Sequence, residues 1–251
     1  MENNKILYYK QLDSTNTEIH RLAEEGAEHG TVVVADYQTA GRGRRGRNWE
    51  SPATDNVYMS ILLRPDFETT KAPMLTLVMA YSVAKVLKQG GFSNAQIKWP
   101  NDLILSGKKV SGILTEMHLL GTKIDHVVVG VGVNVNMTNF PEELVDKATS
   151  LFLECGKPVD KEHMIVDIVE NFMEAYDRFA EEENLEFLQD EYNSMLVNKN
   201  QGVRILEPAN EYTAYALGIS RTGELTVRLE DGTERNVYAG EVSVRGVYGY
   251  I

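Results

Sequence analysis

Apolar residues along the chain recur either at the helical period or in the short runs typical of strands. The changes from one pattern to the other predict the order of the elements. The predicted elements of the first third are strands at 5–13, 31–38 and 55–65 and helices at 14–30 and 72–91. Thr15 and Glu18 have capping-box spacing, which predicts the start of the first helix. The second helix opens at Pro73 and closes on Gly90 and Gly91, as the positional preferences of proline and glycine favour. Its apolar residues predict a buried helix.

The middle of the chain has the pattern of a sheet. Residues 95–120 are predicted to form strands joined by a turn at Ser106–Gly107, and 123–137 forms a further apolar strand. Consecutive strands without intervening helices are typical of antiparallel or mixed sheets, because parallel neighbours need a long crossover. From 161 to 196 the apolar residues recur at the helix period, opposite an acidic face. The pattern predicts an amphipathic helical region after the sheet.

Short strands follow Gly202 to the end of the chain. Turn residues separate them, and Asp231–Gly232 is a strong hairpin signal. Short strands at regular spacing predict a small β-barrel. We therefore predict an α+β fold, in which residues 1–198 form a mixed, largely antiparallel sheet flanked by helices and 199–251 form the barrel.

Composition limits the classes of function. Of 251 residues 43% are hydrophobic, and the formal net charge is −12 with a pI near 4.9. This balance argues against nonspecific nucleic-acid binding, which depends on neutralising phosphates. Cys155 is the single cysteine, the start has no signal-peptide pattern, and no apolar run reaches the length of a membrane span. We expect a cytoplasmic protein without a membrane partner.

One basic segment stands out in this acidic chain. TAGRGRRGRNWESP (39–52) carries four arginines and three glycines between positions 41 and 47. The glycines let the backbone approach a ligand closely, and guanidinium groups suit phosphate or carboxylate. Trp49 adds an aromatic ring that can stack on a base, although it can equally be a core residue. Composition alone leaves open a lid over one small anion, a solvated basic loop, or an RNA-binding segment.

Other candidate residues lie at strand ends and turns. KWPND (98–102) places Asn101 and Asp102 in a turn, where an Asx turn is as good an explanation as a ligand site. Lys108 and Lys109 are consecutive on a strand, so their side chains face opposite sides. GVGVN (130–134) lacks the helix of a dinucleotide fingerprint. The five histidines show no zinc-binding spacing, and the metal ligands stay unknown.

The motifs taken together resemble a known family. DSTNTE, ADYQTAGRGRRGRNWESP, KWPNDLIL, GKKVSGIL and VVVGVGVNVN, in this order and spacing, are similar to the biotin–protein ligases (holocarboxylase synthetases). The likeness covers most of residues 5–136, and GEVSVRG is similar to the family's C-terminal barrel. It implies a class II aminoacyl-tRNA-synthetase-like fold with an SH3-like (Src-homology-3-like) barrel. Because the chain begins at the first catalytic strand, it resembles the monofunctional type without a helix-turn-helix or a DNA partner.

The resemblance implies roles for individual residues. Those implied to bind biotin are Ser14, Thr15, Asn16, Gln38, Arg42, Gly43, Arg44, Lys109 and Gly112. Those implied to bind the nucleotide are Arg45, Arg47, Trp49, Lys98, Asn101, Asp102 and Asn134. Because the activation step joins two anions, fixed cations are the expected catalysts, and Arg44 and Lys109 are predicted to be these cations. Lys108 is expected at the surface from strand alternation. Residues 41–50 are expected to close over the ligand.

The implied activity has two steps. Biotin reacts with ATP, accompanied by Mg²⁺, to give biotinyl-5'-AMP, and the biotinyl group passes to a lysine of a biotin carboxyl carrier protein. A lipoate–protein ligase of the same fold and a non-catalytic nucleotide- or RNA-binding module are the alternatives. A homodimer is a further expectation, paired through an exposed edge strand near 123–135.

Overall fold

The computed structural model describes residues 5–46, 49, 56–207, 210–239 and 243–246, with the backbone alone given for Arg45. A seven-stranded sheet has the order β1-β2-β3-β7-β6-β5-β4. Its strands are β1 (Ile6–Tyr9), β2 (Val32–Ala35), β3 (Val57–Leu63), β4 (Gln96–Lys98), β5 (Asp102–Leu105), β6 (Lys108–Leu120) and β7 (Lys123–Val133). Only β1 and β2 pair in parallel among these described strands, and the other pairs are antiparallel. The predicted mixed, largely antiparallel sheet is confirmed.

Helices cover both faces of this sheet. They are α1 (Thr15–Glu24), α2 (Leu75–Gln89), α3 (Leu151–Cys155), α4 (Lys161–Glu182) and α5 (Glu186–Met195). The larger core packs α2, α4 and α5 on one face of the sheet, and α1 covers a smaller core on the other face. Both cores bury apolar side chains almost completely, which is the dominant favourable term in folding. No helix in the described ranges is long and apolar enough to span a membrane.

Strand β7 separates these two cores through the alternation of its side chains. Val127, Val129, Val131 and Val133 belong to the larger core, whereas Val128 belongs to the smaller one. Gly130 and Gly132 lie on the same face as Val128, because successive side chains of a strand point to opposite faces. The face that carries the glycines is therefore open for other groups to approach the backbone.

The C-terminal segment forms a second, five-stranded antiparallel sheet with the order β11-β10-β9-β8-β12. Its strands are β8 (Gly202–Glu207), β9 (Asn210–Ile219), β10 (Leu225–Arg228), β11 (Glu234–Val237) and β12 (Ser243–Gly246). The hairpin at Asp231–Gly232 is confirmed, with Gly232 at a φ of 85°. The separate sheet supports the predicted C-terminal unit, and the exact boundary between 198 and 199 stays a prediction.

Two buried hydrogen bonds of Trp99 connect the first sheet to the second half of the chain. The indole Nε1–H donates to the carbonyl of Gly223 at 3.0 Å, and the backbone N–H donates to Asn198 Oδ1 at 2.9 Å. Trp99 is buried, as is Asn198. The turn that contains KWPND is thereby fixed against the C-terminal region.

The capping-box prediction was wrong. The N-cap of α1 is Ser14, and Thr15 instead donates its hydroxyl to Gln38. The first helix was expected to end at Gly26 or Gly30, and it ends at Glu24, just before Gly26 turns the chain at a φ of 90°. The predicted helical region 161–196 is confirmed as the two helices α4 and α5, and α3 was not predicted.

The predicted edge strand near 123–135 is an interior strand over part of its length. β7 pairs with β3 over residues 127–133 on one side and with β6 on the other, so residues 127–133 cannot add a second subunit by extending the sheet. Residues 123–126 pair with β6 alone among the described strands.

Replacing Asn198 by alanine is expected to lower the free energy of unfolding by about 1–3 kcal/mol, because the buried Trp99 N–H loses its acceptor. Urea denaturation followed by circular dichroism measures the difference. Asn139→Ala, at an exposed amide, is the matched control and should change stability by less than about 0.5 kcal/mol. Equal effects of the two substitutions would contradict the assignment of this hydrogen bond as a structural link.

Candidate active site

Two neighbouring cavities lie where the segment of Arg42, Gly43 and Arg44, called the arginine loop below, meets the first sheet. The first cavity is lined by Ser14, Thr15, Asn16, Gln38, Arg42, Met59, Ile113, Leu114 and the glycines 112, 130 and 132. The second cavity, of about 430 Å³, is lined by Lys98, Asp102, Asn134, Phe140, Pro141, Lys147 and Arg245 among others. Gly43, Arg44, Trp49, Asn101 and Lys109 line both. Two cations, Arg44 and Lys109, therefore lie in the shared wall, where ligands of the two cavities would meet.

The closed end of the first cavity is a network of buried polar groups. Gln38 Oε1 accepts from the backbone N–H of Thr15 at 2.8 Å and from its hydroxyl at 3.2 Å. The Ser60 hydroxyl donates to Asn16 Oδ1 at 2.6 Å and lies 2.7 Å from Thr15 Oγ1. Ser14 is also buried at the start of α1. Such an array of fixed donors and acceptors suits a small polar ring rather than an aliphatic group.

Glycines permit this network to lie against the sheet. A Cβ atom at Gly130 would lie 2.0 Å from Asn16 Oδ1, and one at Gly132 would lie 3.2 Å from Trp49 Nε1. A Cβ at Gly112 would come within 2.9 Å of Lys109 Nζ. Glycine is therefore required at 130 for Asn16 to keep its position, and the other two glycines bring Trp49 and Lys109 close to the sheet.

A carboxylate lies next to the same network. Glu116 Oε2 accepts from Asn16 Nδ2 at 2.7 Å, and Glu116 Oε1 lies 3.0 Å from Arg42 Nη2. Burial alone would raise the pKa of Glu116, but the hydrogen bond from Asn16 and the charge of Arg42 outweigh it and lower the pKa. The carboxylate is therefore ionised at neutral pH.

A histidine pair continues this network away from the cavity. His20 Nδ1 and His126 Nε2 are 2.8 Å apart, and His126 Nδ1 is 2.6 Å from Asp125 Oδ2. Burial lowers the pKa of His126, against the opposing effect of Asp125. His126 is therefore neutral at pH 7, with Nδ1–H donating to Asp125 and Nε2 accepting from His20.

Arg44 joins three parts of the molecule. Its Nη1 donates to Asn101 Oδ1 at 2.8 Å, and its Nη2 donates to the carbonyl of Ala239 in the C-terminal region. Asn101 Nδ2 in turn donates to the carbonyl of Ile113 on β6 at 3.2 Å. The KWPND turn therefore orients Arg44 through Asn101. Asn101 thus has a role in the site besides any role in forming the turn.

Lys109 is the second cation of the shared wall. Its Nζ lies 2.5 Å from Asp102 Oδ1 and 4.7 Å from the centre of the Trp49 ring. Lys108, one residue earlier, points away and donates to the carbonyl of Val145 at 2.8 Å. The predicted opposite orientation of the two lysines is confirmed.

The structure brings together nearly all of the predicted site residues that it describes. Lys98 and Asn134 are buried beside the second cavity, and Asn134 Nδ2 donates to the carbonyl of Thr149 at 3.0 Å. Arg47 and the side chain of Arg45 lie outside the described residues, as do 48 and 50 of the predicted lid. Individual ligand contacts of all these residues stay predictions.

Sequence reasoning missed Ser60, Glu116 and Gly130 on the side of the first cavity, and Lys147 and Arg245 in the second. The period-two spacing of Gly130 and Gly132 was a usable signal, because it puts both glycines on one face of β7. No pattern in the sequence around Ser60 indicated a role in the site. Its place beside the network depends on the pairing of β3 with β7, which puts Ser60 directly opposite Gly130.

Comparison with known proteins agrees with this geometry. The profile of the biotin/lipoate A/B protein ligase family matches residues 8–134, and that of the biotin protein ligase C-terminal domain matches residues 200–245. The bifunctional ligase/repressor BirA of Bacillus subtilis is 36% identical over 243 residues, covering 95% of this chain and 74% of the relative. The biotin–[acetyl-CoA-carboxylase] ligase of Paracoccus denitrificans is 43% identical over 125 residues, or 49% of this chain and 51% of that protein.

A solved structure shows the same fold over nearly the whole chain. The biotin protein ligase from Aquifex aeolicus in complex with biotin and ATP superposes with a TM-score of 0.84 at 32% identity, covering 96% of this chain and 99% of that one. The fold and the two-part site thus define a ligase of the biotin and lipoate class. The chain belongs to the biotin/lipoate A/B protein ligase family, and within it to the biotin–protein ligases.

The depressed pKa of His126 makes stability depend on pH in a definite direction. The unfolded chain takes up a proton near the ordinary histidine value of 6.5, whereas folded His126 does so only at a lower pH. The free energy of unfolding should therefore fall as pH decreases through this window. His126→Gln removes this contribution, so the variant should show a shallower loss between about pH 7 and about pH 5.

Urea denaturation at a series of pH values measures these slopes. His163→Gln, at an exposed histidine of α4, is the matched control and should keep the slope of the parent chain. An unchanged slope in His126→Gln would show that this histidine is not the group that is buried neutral.

Proposed function

We propose that this chain is an ATP-dependent ligase that converts biotin to biotinyl-5'-AMP and transfers the biotinyl group to a lysine of a biotin carboxyl carrier protein. The observation that carries the proposal is the pair of cavities with Arg44 and Lys109 in their common wall. The first cavity offers the polar end that a ureido ring needs, and the second has the volume and basic lining that a nucleotide needs.

The first step brings two anions together. The biotin carboxylate attacks the α-phosphorus of ATP, a bond to the carboxylate oxygen forms, and pyrophosphate leaves. Like charges repel strongly where water is excluded, so fixed cations at the meeting point lower the barrier. Arg44 and Lys109 have this role in our proposal, and Asn101 and Asp102 hold them in place. No side-chain nucleophile is needed, because the substrate carboxylate is the nucleophile.

The second step transfers the acyl group. The acceptor amine, as the neutral base, attacks the carbonyl carbon of biotinyl-AMP, an amide forms, and AMP leaves after the amine loses its proton. Ser14, Thr15, Asn16 and Gln38 hold the biotin ring during both steps, while Arg42 and Gly43 cover its tail and Gly112 allows close approach. Trp49, Lys98 and Asn134 lie on the nucleotide side. Arg45 and Arg47 are proposed to join them in a loop that excludes water from the anhydride.

Magnesium is proposed to accompany ATP. In the described parts of the chain no group of three or more His, Cys, Asp or Glu side chains is placed to hold a metal ion. Mg²⁺ in such sites keeps water and substrate phosphates as most of its ligands, so a dedicated protein cage is not required. Bound with the nucleotide, it would supply charge neutralisation of the phosphates.

The cellular setting is part of the proposal. A single exposed cysteine and the ATP requirement fit the cytoplasm. A homodimer is proposed as an assembly, and residues 127–133 of β7 are already paired on both sides.

Intact-mass analysis tests the function directly. The chain is incubated with a biotin carboxyl carrier domain, ATP, magnesium and biotin, and a gain of one biotinyl group on the carrier is expected. Replacing biotin by lipoate, or omitting ATP, should give no mass change. Modification with lipoate but not with biotin would overturn the proposal.

Lys109→Ala is expected to lower biotin-dependent ATP–pyrophosphate exchange by about 10²–10³-fold, because it removes a cation from the developing charge. Lys108→Ala is the matched control, since Lys108 points away from both cavities and should keep near-normal exchange. Near-normal exchange in Lys109→Ala, or equal loss in the two variants, would contradict the proposed role.

Alanine substitutions at Gly130 and Gly132 of β7 are expected to change the affinities for biotin and ATP in different proportions. Gly130→Ala displaces Asn16 and should raise the dissociation constant of biotin by roughly 10-fold or more, with little change for ATP. Gly132→Ala presses on Trp49, which lines both cavities, and should weaken ATP as well as biotin. Isothermal titration of each ligand measures both constants. The same ratio of effects in both variants would show that the cavities are not divided in this way.

A further inference from the structure

Glu116 connects the two elements that enclose the first cavity. It lies on β6, where its side chain keeps about 22% of its surface exposed. One carboxylate oxygen accepts from Asn16 of α1 at 2.7 Å, and the other lies 3.0 Å from Arg42 of the arginine loop. Both partners line the first cavity. Glu116 itself does not line either cavity, so any effect on ligands passes through these partners.

The orientation of the Asn16 amide depends on this carboxylate. Its Oδ1 faces the Ser60 hydroxyl at 2.6 Å, and its Nδ2 faces Glu116. An ionised carboxylate only accepts hydrogen bonds, so it selects the amide nitrogen over the amide oxygen. The flipped amide would place Oδ1 against the carboxylate. The pair of contacts therefore fixes which groups Asn16 offers to a ligand.

Neighbouring groups surround Glu116, which must be ionised to orient the Asn16 amide. Asp125 accepts from His126, whose Nε2 then accepts from His20 Nδ1–H. The remaining nitrogen of His20 faces Glu116 at 3.8 Å. The hydrogen bond from Asn16 and the charge of Arg42 favour the ionised carboxylate, and the pKa of Glu116 is lowered despite its partial burial.

We propose that Glu116 is a positioning residue of the biotin side of the site: it fixes the Asn16 amide and, through Arg42, holds the beginning of the arginine loop over the same cavity. This inference rests on the proposed function, since it assigns the first cavity to biotin. The effect should be selective for biotin, because in the described parts of the chain the polar partners of Glu116 are Asn16, His20 and Arg42, none of which lines the second cavity.

Glu116→Gln is the test, because glutamine keeps the size of the side chain. Its oxygen can still accept from Asn16, but its amide group then turns an N–H toward Arg42 and the negative charge is gone. The dissociation constant of biotin, measured by titration without ATP, should rise about 10-fold, as expected for loss of a charge-assisted contact. The dissociation constant of ATP should change by less than about 2-fold. Glu170→Gln, at an exposed glutamate of α4, is the matched control and should change neither constant.

A double-mutant cycle separates positioning from a general loss of structure. If Glu116 acts through Arg42, then Glu116→Gln combined with Arg42→Gln should weaken biotin by less than the product of the two single effects. Simple multiplication of the effects, or a biotin constant within about 2-fold of the parent in Glu116→Gln, would overturn the inference.

The outcomes also distinguish the inference from the function on which it rests. If the parent chain binds no biotin and biotinylates no carrier, the proposed function fails. If the parent is active and Glu116→Gln binds biotin normally, only the inference fails. Should Glu116→Gln not fold by circular dichroism, Glu116→Asp keeps the charge but shortens its reach, and it should show the same selective loss of biotin affinity.

Discussion

Side-chain alternation along β7 is the constraint on which the rest of the structure depends. Its valines at 127, 129, 131 and 133 enter the larger core, so the register of the strand is fixed by burial. A slip of one residue would expose these valines and turn Gly130 and Gly132 into the core. The same register that stabilises the fold therefore also places the two glycines beneath Asn16 and Trp49.

Pairing with β7 determines which residues of the neighbouring strands β3 and β6 lie beside the two glycines. Gly130 lies between Ser60 of β3 and Leu114 of β6, and Gly132 lies between Tyr58 and Gly112. The face of the sheet that supports the cavities thus has small residues at Ser60, Gly112, Gly130 and Gly132, beside the larger Tyr58 and Leu114. Further along the same face, Val128 pairs with Glu116 and His126 pairs with His118, which is where the carboxylate and histidine network lies.

The electrostatics of the site are local and built from fixed partners. The chain as a whole is acidic, yet Arg44 and Lys109 lie together at the wall between the cavities. Each is held by a neutral amide or a carboxylate of the KWPND turn, and Trp99 fixes that turn to the C-terminal region. Such preorganised cations need little rearrangement when charge develops, which is the property that adenylate formation requires.

The sequence by itself determined the order of most elements, the division into a large sheet and a C-terminal sheet, and the motifs of the site. Periodicity and turn residues are local properties, so 55–65, 72–91 and Asp231–Gly232 were predicted correctly. Local signals failed where a distant partner competed: Thr15 binds Gln38 instead of capping α1, and β7 is covered by β3, which lies more than sixty residues earlier. The tertiary structure alone decided that Ser60 and Glu116 belong to the site, because their contacts cross between strands and helix α1, and no spacing along the chain encodes such contacts.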